Sequence, residues 1–140
     1  MNQVYLADTT VWHWARHPIA RAALQDELDR GTVATCAIID AELTASARSE
    51  REAIEMASDR RALRWLPSPD ETWDDVLATQ LALVKESLHR SVKLPDLIIA
   101  AVARRHEATV LHYDHDYDAI AEVTKQPMRW LVPPKRSTTP

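Results

Sequence analysis

Four acidic positions stand where the chain has no structural need of them. Asp8 ends a short apolar run, Val4-Tyr5-Leu6-Ala7, and Glu42 lies one short turn beyond a second, Thr32-Val33-Ala34-Thr35-Cys36. Asp96 opens the stretch Leu97-Ile98-Ile99-Ala100-Ala101-Val102-Ala103, and Asp114, followed by Asp116, closes a third run, Thr109-Val110-Leu111-His112-Tyr113. Ionised carboxylates brought within a few ångströms repel, so a proton or a cation must sit between them. No lysine or arginine is expected inside these motifs, which favours the cation. Oxygen donors, without cysteine or histidine at metal-binding spacing, select Mg²⁺, or Mn²⁺ in its place, over Zn²⁺. Such an ion lowers the pKa of a water and screens the charge that builds on a phosphate under attack. Phosphodiester hydrolysis then needs no side-chain nucleophile, in keeping with the lack of a Ser-His-Asp pattern.

These acids can meet only if the fold brings them together. The three apolar runs are too short for helices and rich in strand formers, so they read as buried strands; Arg64-Trp65-Leu66 and Met128-Arg129-Trp130-Leu131-Val132 are weaker strand candidates. Between them lie helical segments. One opens at Pro18, carries Leu24 and Leu28 on one face and closes at Gly31. Another follows the capping-box spacing of Ser68 and Glu71, with Trp73, Leu77, Leu81, Val84 and Leu88 as its expected core face. The stretch after Asp96 is apolar all round and must be buried on every side. Strands alternating with helices predict an α/β sandwich around a parallel sheet of four or five strands. In such sheets, groups just past the carboxyl ends of the strands converge on one crevice. Asp8, Glu42 and Asp114 belong to that rim, and Asp96 joins from the helix beside it.

The 140 residues, 46% of them apolar, suit one domain over residues 1–132 and a disordered Pro-rich tail at 133–140. With 17 basic against 21 acidic residues the net charge is −4, a poor balance for binding nucleic acid through bulk electrostatics. A bound divalent cation repairs that balance locally. A single glycine, Gly31, excludes Gly-rich phosphate loops and dinucleotide fingerprints. A single cysteine, Cys36, points to a reducing compartment. Neither a membrane span nor a signal peptide is expected, which places the protein in the cytoplasm.

Together the motifs resemble a known family. Asp8-Thr9-Thr10, Ala41-Glu42-Leu43, Pro95-Asp96-Leu97-Ile98-Ile99-Ala100-Ala101 and Val110-Leu111-His112-Tyr113-Asp114-His115-Asp116-Tyr117-Asp118 are similar, in order and separation, to the signature blocks of PIN-domain ribonucleases. The nearest likeness is to the VapC toxins of bacterial toxin–antitoxin pairs. The resemblance implies a PIN-like three-layer sandwich and a Mg²⁺- or Mn²⁺-dependent endoribonuclease that leaves a 5′-phosphate on its RNA. It also implies a homodimer held inactive by a cognate antitoxin, whose basic or aromatic segment would cover the acidic crevice. The family's acids fall on Asp8, Glu42, Asp96 and Asp114, with Asp116 matching a more variable contributor and Thr10 the hydroxyl that orients the site. Tyr117 stands where phenylalanine is common.

Other readings of single residues stay open at this stage. Asp8 and Asp116 are favoured helix N-caps, Glu42 could be a solvated surface acid, and Asp96 suits a helix first turn whatever its role. His112 and His115 read as structural or surface residues, Trp12 as a core or dimer contact, and the arginines at 60, 61, 64, 104 and 105 as solvated charge. A nuclease for DNA or precursor RNA, or an inactive PIN-like scaffold, would share these motifs. A phospho-acceptor receiver domain would need an acid beside Asp8, where Ala7 stands, and a lysine near His112-Tyr113-Asp114.

Overall fold

A computed structural model describes residues 3–134. Of the expected tail at 133–140, all but Pro133 and Pro134 lies outside the described residues. The strands are β1 (Tyr5–Ala7), β2 (Val33–Thr35), β3 (Arg64–Trp65), β4 (Thr109–His112) and β5 (Met128–Trp130). They form one parallel sheet in the order β3-β2-β1-β4-β5. The helices are α1 (Thr9–Trp14), α2 (Pro18–Asp29), α3 (Ala37–Ala45), α4 (Glu50–Arg60), α5 (Thr72–Lys85), α6 (Leu94–Arg105) and α7 (Asp116–Thr124). None among the described residues is long and apolar enough to cross a membrane.

The strand order places the site. The chain runs from β1 outward to β2 and β3, then returns across β1 to add β4 and β5 on its other side. That reversal makes β1 and β4 the topological switch point, where a crevice opens at the carboxyl ends of the strands. Asp8 follows β1 and Asp114 lies just past β4, so both open onto it.

Side chains alternate across each strand and divide the core in two. Leu6, Ala34 and Val110 face a large cluster with Ile39, Leu43, Leu83, Leu97, Val102 and Ile120. Ala7, Val33 and Leu111 face a smaller one with Val11, Leu24 and Leu131. Three expectations fail here. Helix α5 buries Thr72, Val76, Thr79 and Leu83, while Trp73, Leu77, Leu81 and Val84 are 49–72% exposed. The helix carries two stripes at helical spacing; the stripe of Thr72, Val76, Thr79 and Leu83 packs against α6 and α7, leaving the stripe that holds Trp73 outside. The capping box is also absent: Thr72 and Trp73 donate instead to the carbonyls of Pro69 and Asp70. Arg60, expected to be solvated, is buried and pairs with Asp40 at 2.8 Å.

Candidate metal centre and active site

Asp8 is both helix cap and site residue. Its Oδ1 accepts the Thr10 backbone N–H at 2.9 Å and also a hydrogen bond from the Thr10 hydroxyl. The same hydroxyl accepts the Tyr113 N–H at 2.8 Å, so Thr10 ties the end of β1 to the end of β4. The other Asp8 oxygen, Oδ2, lies 2.9 Å from the Tyr117 hydroxyl, which also reaches Asp96 Oδ1 at 3.2 Å. Tyr117, fully buried on α7, thus bridges the acid of β1 and the acid of α6.

Asp96 sits in the first turn of α6, after Pro95, where the helix dipole favours a negative charge. Asp114 Oδ1 accepts the Asp116 N–H at 2.9 Å, so Asp114 and not Asp116 satisfies the start of α7. Freed from capping, Asp116 turns towards α6 and accepts the Lys93 backbone N–H at 3.1 Å. Asp96, Asp114 and Asp116 each present one oxygen within 4.8 Å of the others. Glu42, one turn into α3, accepts from the Thr9 hydroxyl at 2.8 Å, next to Asp8 but outside that trio.

The expectation that no cation enters these motifs is wrong. The Lys93 ammonium lies 2.8 Å from Asp116 Oδ2, 3.1 Å from Asp114 Oδ2 and 3.5 Å from Asp96 Oδ2. Lys93 is the extended residue immediately before α6 and three ahead of Asp96, and a cation that close to the acid is the available signal. In the sequence Tyr117 stands out only as a tyrosine where phenylalanine is common; nothing in the one-dimensional pattern reports a hydroxyl between two acids.

One ammonium does not balance this many carboxylates. Burial raises the Asp8 pKa to about 6 against the lowering effect of the Thr10 and Tyr117 bonds. Burial, then the close Asp116 carboxyl and the charge of Asp8, raises that of Asp96 to about 8. Asp116 is held below the usual range: burial opposes ionisation, but the neighbouring Asp96 carboxyl and the bonds from Lys93 outweigh it. Lys93 is pushed well up, first by Asp116. Asp96 Oδ2 is buried with no hydrogen bond. Clustered hard oxygens, two acids driven towards protonation and an unsatisfied buried carboxylate oxygen fit a divalent cation.

The rim beside the acids is aromatic. His112 is buried against Tyr117 and Trp130, with ring centroids 4.8 Å from each, and its Nδ1 accepts the Asp114 N–H at 3.2 Å. Burial lowers its pKa to about 4, so it stays neutral and holds the Asp114 backbone. His115 is exposed and pairs with Asp118 at 2.9 Å.

Comparison with known proteins agrees with this geometry. The PIN domain model matches residues 5–123. Ribonuclease VapC21 of Mycobacterium tuberculosis is 42% identical over 135 residues, covering 96% of this chain and 98% of that relative. Ribonuclease VapC51 of the same organism is 39% identical, with 92% and 93% covered. Among solved structures, the DNA-bound VapBC of Salmonella typhimurium superposes with a TM-score of 0.76 at 14% identity, covering 93% of this chain and 99% of that one. VapBC-5 of M. tuberculosis gives 0.69 at 20%, with 93% and 99% covered. A parallel sheet with acids gathered at its switch point, matched by that model, defines a PIN domain. Within that class, the chain belongs to the VapC ribonuclease family.

Proposed function

We propose that this protein is a divalent-metal-dependent endoribonuclease and the toxin of a type II toxin–antitoxin pair. The convergence of Asp96, Asp114 and Asp116 within 4.8 Å, with Asp8 joined to them through Tyr117, carries the reading. Asp8, Asp96, Asp114 and Asp116 are assigned to hold Mg²⁺, with Mn²⁺ as substitute; Glu42 extends the catalytic acid set from α3. A bound divalent ion supplies Lewis acidity at a water and at the scissile phosphate.

The chain's own residues supply the positioning. Thr10 fixes the Asp8 carboxylate and, through the Tyr113 N–H, its distance from β4. Tyr117 keeps Asp8 and Asp96 facing one another, and neutral His112 holds the Asp114 backbone. The acidic crevice suits an antitoxin segment bearing complementary charge, as toxin–antitoxin assembly would require. The homodimer expected for the family finds an apolar face in Trp73, Leu77, Leu81 and Val84 of α5.

Matched RNA and DNA oligonucleotides test this reading. Mg²⁺-dependent internal cleavage of the RNA alone, lost in D8N, is expected. Equal cutting of both, or cutting that survives D8N, contradicts it.

A further inference from the structure

The Lys93 side chain is placed unlike any other cation among the described residues. Its ammonium donates to Oδ2 of Asp116 at 2.8 Å and of Asp114 at 3.1 Å, and lies 3.5 Å from Oδ2 of Asp96, an ion pair without a hydrogen bond. These are the acids whose oxygens lie close enough together to share one ion. We propose that Lys93 is a resident counter-cation, its ammonium occupying the position of the divalent ion, so that metal binding at this centre exchanges one cation for another. The proposal rests on the assignment of these acids as a metal centre.

Three features make the exchange feasible. The Lys93 side chain is 63% exposed, so the ammonium can swing into solvent without crossing packed protein. Its main chain is held separately, because the Lys93 carbonyl accepts the N–H groups of Asp96 and Leu97 at the start of α6. The Lys93 N–H also keeps its own bond to Asp116 Oδ2 at 3.1 Å. The carboxylates therefore stay in place when the ammonium leaves. Carboxylate oxygens around Mg²⁺ sit at about 2.0–2.1 Å, and an ammonium cannot stay in contact with the same oxygens beside a doubly charged ion. Once displaced, it stands at the mouth of the crevice, where an anionic backbone would approach.

Mn²⁺ binding, measured by calorimetry on wild type, K93M, K93Q and K93R, tests the exchange, with melting curves recorded in chelator and in Mn²⁺. Without the competing charge, K93M and K93Q are expected to bind Mn²⁺ about tenfold or more tightly than wild type, the scale of one close charge contact at a partly exposed site. K93R, which keeps the charge, should bind about as wild type does. The neutral variants should also melt lower in chelator and gain more from Mn²⁺. K93Q retains a polar chain and carries the comparison if K93M does not fold. Affinities of the neutral variants within about twofold of wild type, or weaker, overturn the exchange while leaving the metal centre standing. No Mn²⁺ binding by wild type or by the neutral variants overturns both.

Discussion

Replacing Tyr117 with phenylalanine removes one oxygen from the middle of the site and nothing from the packing of its ring. That oxygen lies 2.9 Å from Asp8 Oδ2 and 3.2 Å from Asp96 Oδ1, and neither carboxylate can turn to water for a substitute, being 1% and 5% exposed. A hydrogen bond to a buried charged group is worth about 1.5–3 kcal/mol, and its loss leaves the acceptor unsatisfied. The shorter bond, to Asp8, should carry most of this. At roughly 3–5 °C per kcal/mol for a domain of this size, Y117F should melt about 5–12 °C below wild type near neutral pH in chelator. Saturating Mn²⁺ should narrow the gap, because the ion takes over the charge the hydroxyl had been moderating. Calorimetric melting in both buffers reads the effect. A Y117F melting point within about 1 °C of wild type in chelator would refute the idea that this hydroxyl stabilises the acids.

Asp96 should govern how stability varies with pH in the absence of metal. Its folded pKa is raised from 3.8 to about 8, so the folded state holds a proton that the unfolded state has lost, and stability falls as pH rises across that window. D96N should melt above wild type in chelator towards the upper end of the window, with the difference closing near its lower end; parallel melting profiles would contradict this. Cys36, buried with its thiol pushed up to about 11 by desolvation, should resist alkylation at mildly alkaline pH until denaturant is added, as thiol titration would show. Leu81, 72% exposed on α5, should tolerate aspartate without unfolding the chain, and L81D should lower the mass of the proposed homodimer to that of a monomer in light scattering. An unchanged mass would remove α5 from the dimer face.

The sheet and the acid cluster were legible for the same reason. Each strand of a sheet covered on both faces must be a continuous apolar run, so Asp8 and Asp114 mark the points where β1 and β4 end. Helix α6 could be read in the same way, since an all-round apolar stretch admits no surface position. The face of α5 was not legible, because Trp73, Leu77, Leu81 and Val84 outweigh Thr72, Val76, Thr79 and Leu83 in hydrophobicity. Which stripe is buried depends on how α6 and α7 pack against the helix, a long-range arrangement that the hydrophobicity of α5 alone does not report. The roles of Lys93, Tyr117 and Asp116 were hidden for a related reason. Each is defined by a partner on another element, Lys93 by Asp114 and Asp116, Tyr117 by Asp8 and Asp96, and Asp116 by Lys93 once Asp114 has taken the capping bond.

Cleavage of a total RNA pool by wild type and D96N, each in Mg²⁺ and in chelator, tests most directly whether these carboxylates form a metal-dependent nuclease centre. Internal cutting by wild type in Mg²⁺, abolished both by chelator and by D96N while D96N remains folded, is the predicted result. Equal cutting by the two proteins, or cutting indifferent to chelator, would contradict it.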